Sequence, residues 1–176
     1  MAERNYQKGE YVVYGSSGVC LIEEIGDFSF SNGEPLRCYF TLRPISDPGS
    51  VIYLPRDNDI LFSRLRPVLT KEEIREILTS HLKRPVEWDD NRKQRSASFR
   101  DMLAKGDLGE LLSMIRCICL KTRELTANKR KLSTADQEAL QGAKRIVRGE
   151  FSFSLGIRPD EVTDYIRSVL GTEAVI

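Results

Sequence analysis

With 176 residues, 27 Lys and Arg against 26 Asp and Glu, and a formal net charge of +1, the chain carries no global excess of charge that would hold it to a polyanion or a membrane surface. Any contact with nucleic acid must therefore come from a local patch. A chain of this size forms one large domain or two small ones and buries roughly two-thirds of its accessible surface on folding.

The first seventy or so residues alternate with a period of two. Glu10–Tyr14 is a short β-rich run closed by the turn-forming Gly15-Ser16-Ser17-Gly18. Val19–Ile25 follows as a second strand, extended by Phe28 and Phe30 on one face, and Asn32-Gly33 has the chemistry of a hairpin turn. Leu36–Leu42 alternates cleanly, with Leu36, Cys38, Phe40 and Leu42 facing one way and Arg37, Tyr39 and Thr41 the other. After the Ser46–Ser50 turn, Val51–Leu54 reads as a fourth strand stopped by Pro55, and a fifth is expected between Ile60 and Arg66. Five short, turn-linked strands without an intervening helix predict a bent barrel of SH3 or Tudor type over residues 1–67.

From Thr70 the period changes, so the expected class is α+β, with an all-α domain over residues 70–176. Thr70-Lys71-Glu72-Glu73 has capping-box spacing, and Ile74, Ile77, Leu78 and Leu82 share a helical face until Pro85 ends it. Pro85–Asp90 is a corner. A helix resumes near Arg92, carries Phe99, Met102 and Leu103 inward and stops at Gly106. Asp107 opens the next helix, with Leu108, Leu111, Leu112, Ile115, Ile118 and Cys119 apolar, and Thr126–Leu132 reads as a basic loop. Ser133 with Asp136 marks a further N-terminus, Ala139, Leu140, Ala143, Ile146, Val147 and Phe151 its buried side, and Asp160–Leu170 the last helix.

Signals for catalysis are weak. There is no G-x-x-x-x-G-K-S/T phosphate loop. Glu23 and Glu24 are neighbours on a strand and point to opposite faces, so they cannot act as an acid/base pair. An enzyme built on Glu87, Asp89 and Asp90 is the weakest reading. Cys20, Cys38, Cys117 and Cys119 stand singly or as C-x-C, far in sequence from the only His81, which excludes the common zinc spacings. Cys38 and Cys119 sit in apolar runs, as thiols of a reducing compartment do, and the start MAERNYQKGE is polar. The expectation is a cytoplasmic, non-enzymatic protein without metal, cofactor, small-molecule substrate or membrane partner.

Binding signals are stronger. Trp88 is the only tryptophan, preceded by Lys83 and Arg84 and followed by Arg92, Lys93, Arg95 and Arg100. A large flat apolar group among cations suits a wedge against nucleic acid, although the same residue could lie in the core beneath a solvated face. Arg116, Lys121, Arg123, Lys129, Arg130 and Lys131 face the single Glu124, which suits either a phosphate-binding surface or an ordinary solvated one. On the β-module, Phe28, Phe30, Tyr39 and Tyr53 either close a core or remain exposed beside a strand edge that a partner strand could extend. A protein–protein adaptor without DNA contact is the competing reading.

The order and spacing of several short motifs resemble the CarD/CdnL family of bacterial transcription regulators along nearly the whole chain. They are Gly9-Glu10-Tyr11-Val12-Val13-Tyr14 with Gly18-Val19; Trp88-x-x-Asn91-Arg92-x-x-Arg95; and Phe99-x-x-Met102-Leu103-x-x-Gly106-Asp107. Lys131-Leu132-Ser133 and Glu150-Phe151 through Leu155-Gly156-Ile157 complete the set. The turn Gly15-Ser16-Ser17 and Cys20 depart from the V-Y-P-x-H-G-V-G pattern common in that family. The resemblance implies a Tudor-like module that docks on the RNA polymerase β subunit around Phe28, Phe30 and Tyr53. It also implies a helical module whose Trp88 wedges into the promoter minor groove at the upstream edge of the bubble, retarding its closure. Arg84, Arg92, Lys93 and Arg95 would be its phosphate partners; Lys129, Arg130 and Lys131, read from their charge run, add to them if the two clusters converge. Transcription-repair coupling factors share the β-module, but their translocase needs the phosphate loop missing here.

Overall fold

The structure, a computed structural model, describes residues 5–31, 33, 35–81 and 87–171, the side chain of His81 excepted. Asn32, Leu82, Lys83, Arg84 and Pro85, all singled out above, lie outside the described residues. The chain divides into two compact units, Met1–Val68 and Leu69–Ile176.

The first unit contains β1 (Tyr11–Tyr14), β2 (Val19–Phe28), β3 (Arg37–Pro44), β4 (Ile52–Pro55), a single helical turn α1 (Asp59–Phe62) and β5 (Leu65–Pro67). Every pairing is antiparallel and the strand order is β4-β3-β2-β1-β5. The sheet is not closed, where the sequence predicts a bent barrel of SH3 or Tudor type over residues 1–67. A helical turn lies between the two end strands. Where a strand was expected from Ile60, the Asn58 side chain accepts a hydrogen bond from the Leu61 amide at 3.1 Å and starts a helical turn. Leu61 and Phe62 of that turn cover the inner face of the sheet, packing on Val12, Cys20, Ile22, Phe40, Leu42, Leu54 and Leu65. The buried Cys20 thiol is pushed up to about 12 by desolvation, so it stays protonated as a small apolar group.

One irregularity decides what the outer face carries. The β2–β3 register shifts between Ile22, opposite Leu42, and Glu24, opposite Thr41. The extra residue, Glu23, forms a 2.5 Å ion pair with Arg43. Before this bulge the even-numbered residues Cys20 and Ile22 point inward; after it Ile25 does, and Phe28 is carried to the outer face. An unbroken strand would have sent Phe28 to the core side.

The second unit is helical: α2 (Lys71–His81), α3 (Arg92–Lys105), α4 (Leu108–Ala127), α5 (Thr134–Leu155) and α6 (Val162–Leu170). Four starts are capped by side chains. Thr70 and Glu73 cap each other's amides, and Asn91, Asp107 and Ser133 cap α3, α4 and α5. Gly106 and Gly156, both left-handed, end α3 and α5. The apolar stripes meet in one core of Ile74, Leu78, Phe99, Leu111, Ile115, Ile118, Ala143, Val147, Phe151 and Ile166, among others. The wholly buried Glu150 accepts a hydrogen bond from the Leu69 amide at 3.2 Å, tying the entry of α2 to α5. α4 continues to Ala127, so the basic connection is shorter than the expected Thr126–Leu132 loop, and α6 starts two residues later than expected. Among the described residues no helix is long and apolar enough to cross a membrane.

Candidate functional site

Trp88 stands just ahead of α3, on a segment held by local hydrogen bonds. The Asp89 carboxylate accepts from the Asn91 amide at 2.8 Å, and the Asn91 side chain in turn accepts from Lys93 and Gln94 at 3.1 and 3.2 Å. Cys117 of α4 donates weakly to the Glu87 carbonyl at 3.8 Å. The indole is half-buried. It meets Phe99 edge-on with ring centroids 6.4 Å apart, and it packs against the helical core without being sealed in it. The Arg95 guanidinium carbon lies 4.1 Å from the ring centroid and the Lys121 ammonium 5.8 Å, both within cation–π range.

Arg95 departs from its expected role. It is only 7% exposed, and its guanidinium is committed inside the fold instead of being turned to solvent for phosphate. Nε and Nη2 donate to the two carboxylate oxygens of Asp136 at 2.9 and 3.0 Å, and Nη1 donates to the Asp89 carbonyl at 2.6 Å. Planar, bidentate pairing of this kind is what guanidinium offers and ammonium does not. Asp136 is also nearly buried and receives the Ser133 hydroxyl at 2.6 Å. Burial pushes its carboxyl up, but hydrogen bonds from Arg95 and Ser133 outweigh that and hold it below the usual carboxylate range. The same bond to Asp136 raises Arg95 further above its already high value.

This pair sets the site's geography. Asp136 lies in the first turn of α5, so its bond to Arg95 ties that helix start, and the connection leading into it, to the Trp88 corner. Lys129, Arg130 and Lys131 lie on this connection and are exposed, as are Arg92 and Lys93 at the start of α3. Lys121, beside the indole, is held by Glu124 at 2.9 and 3.0 Å. Glu87, Asp89 and Asp90 are exposed around the same segment and partly offset these cations. Asp89 already accepts the Asn91 amide, and among the described residues no group of three or more His, Cys, Asp or Glu side chains could hold a metal.

On the outer face of the sheet, Phe28, Phe30, Tyr39 and Tyr53 form one aromatic cluster. Phe30 meets Tyr53 at 4.8 Å and Tyr39 at 5.2 Å, and Phe28 meets Tyr53 at 5.9 Å. Phe30 is 55% and Tyr53 44% exposed, so this cluster closes no core. Phe28, Phe30 and Tyr39 line a shallow cleft of about 140 Å³ together with Arg37. Tyr53 sits on β4, an end strand that pairs only with β3 among the described residues.

Residues 6–69 match the CarD-like/TRCF RID domain, and residues 73–167 match the CarD C-terminal domain. No individual curated protein matches the chain. An open antiparallel sheet followed by helices, with these two matches, defines the class: a transcription-associated protein that interacts with RNA polymerase, in a family of non-catalytic transcription factors. The chain belongs to the CarD family.

Proposed function

We propose that the β-sheet unit docks on the RNA polymerase β subunit through the Phe28, Phe30 and Tyr53 face and the open β4 edge, in the manner of a Tudor-like module. The helical unit then sets Trp88 into the promoter minor groove at the upstream edge of the bubble and stabilises the open complex. One observation carries this reading. An indole that is neither sealed nor loose stands at a corner to which Arg92, Lys93 and the Lys129–Lys131 connection also belong. Apolar wedges in the minor groove work in this way, with cations on the flanking phosphates offsetting a few kcal/mol of unstacking. None of these side chains is placed for a bidentate base contact by sequence pattern alone, so shape and deformability are the readout expected. Arg84, outside the described residues, remains a candidate phosphate contact through the family resemblance.

Two outcomes test the two surfaces separately. Replacing Lys129, Arg130 and Lys131 by Gln is expected to weaken DNA binding by the full chain most at low salt. The plot of log affinity against log salt should flatten by about 0.9 for each phosphate contact removed. Fluorescence anisotropy of a labelled duplex across a salt series measures it, and an unchanged slope removes these residues from the interface. Substituting Phe30 and Tyr53 by Ala is expected to weaken binding to core RNA polymerase by tenfold or more, since exposed aromatic anchors commonly contribute about 2 kcal/mol each. The open-complex effect should then return at saturating protein, because docking only raises the effective concentration of the wedge. Unchanged polymerase affinity would move the docking surface elsewhere.

A further inference from the structure

A wedge needs only an exposed ring, yet the Trp88 ring is held by more than its own packing. Arg95, on α3, lies over the indole at 4.1 Å, and among the described residues its guanidinium makes three hydrogen bonds within the fold. The contact to the Asp89 carbonyl returns to the residue next to Trp88, which a simple tie between α3 and α5 would not require. A guanidinium so committed cannot follow a phosphate without stranding the nearly buried Asp136 carboxylate. We infer that Arg95 and Asp136 are positioning residues for Trp88: the pair fixes the orientation of the half-buried indole and so the part of it left for contact. The ring is thereby set before it meets its target, and the ordering cost of a large side chain falls on folding instead of on binding. The functional half of this inference rests on the wedge reading; the structural half does not.

Trp88 is the only tryptophan, so fluorescence excited at the red edge of the indole band, where the tyrosines do not absorb, reports this ring alone. Arg95→Lys keeps a positive charge opposite Asp136 but loses the plane and the fork. Asp136→Asn is a second variant that keeps the shape of the acceptor should the first fail to fold. In the full chain, either variant is expected to lower the fluorescence anisotropy of Trp88 and raise its quenching by acrylamide while far-ultraviolet helix content is kept. Open-complex lifetime should fall about threefold to tenfold, the range open to a lost cation–π contact, with polymerase affinity unchanged. A ring that is equally ordered in both folded variants overturns the inference and leaves the pair as a staple. If the ring loosens while lifetime stays constant, and Trp88→Ala does shorten it, orientation is irrelevant to function and the positioning role is overturned. If Trp88→Ala also leaves lifetime unchanged, the wedge reading falls while the structural half of the inference stands.

Discussion

Trp88→Ala is expected to shorten the lifetime of the promoter open complex by tenfold or more while leaving binding to RNA polymerase intact. Stacking of an aromatic side chain on a base contributes about 1–3 kcal/mol, and each 1.4 kcal/mol withdrawn from the open state changes its population or lifetime by about tenfold. Phe28, Phe30 and Tyr53 belong to the other unit, so docking should be unaffected. The substitution also strips packing from Phe99, and for a half-buried ring this costs a fraction of the 3–5 kcal/mol typical of a core Trp or Phe. Lifetimes should therefore be compared well below the unfolding temperature, by challenge with a competitor that traps free polymerase. Trp88→Phe, which keeps a smaller apolar face against Phe99, should give an intermediate lifetime. A lifetime equal to that of the unsubstituted protein, with Trp88→Ala folded and bound to polymerase, would remove the indole from the mechanism.

What could be read in the sequence was mostly local. Capping spacings at Thr70, Asp107 and Ser133 and the alternation of Leu36–Leu42 carry their own physics within a few residues, and the elements follow them. Where Asn58 starts a helical turn, the β-branched Ile60 and the apolar run beyond it resemble a strand, and a single turn is too short to show a period. Closure of the sheet was not legible because it depends on pairing between strands distant in sequence. The bulge at Glu23 was equally hidden: a shift of one residue reverses every side chain beyond it without changing the composition of the run. Trp88 stood out by being unique and flanked by cations. Arg95 reads as one of those cations because a sequence shows charge without showing its partner. Asp136, 41 positions later, was legible only as the acid of an N-cap, a role it does fill alongside its pairing with Arg95. The long-range half of that role exists only once α3 and α5 pack together.

The same pair yields the largest stability effect expected in the molecule. Arg95→Ala should destabilise the helical unit by about 3–5 kcal/mol, the cost of leaving a buried carboxylate without its counter-charge, and lower its melting temperature by on the order of 10 °C. Asp136 would retain the Ser133 hydroxyl, which satisfies part of its hydrogen-bonding capacity but none of its charge. Replacing both partners together, Arg95→Met with Asp136→Leu, should cost less than either removal alone, because no uncompensated ion is then buried; the difference in a thermal double-mutant cycle measures the coupling. The pair also sets an acid limit. Asp136 has a folded value below its unfolded one of about 3.9, so its contribution is fully present above that pH and is lost as pH falls through the depressed value. Arg95 is raised above a value that is already far from neutrality, so it adds no pH dependence in the working range. Asp136→Asn should accordingly be less stable at neutral pH and lose less stability than the unsubstituted chain as pH falls below about 4. Parallel losses of stability in the two proteins under acid would mean that the carboxylate of Asp136 is not what the Arg95 guanidinium stabilises.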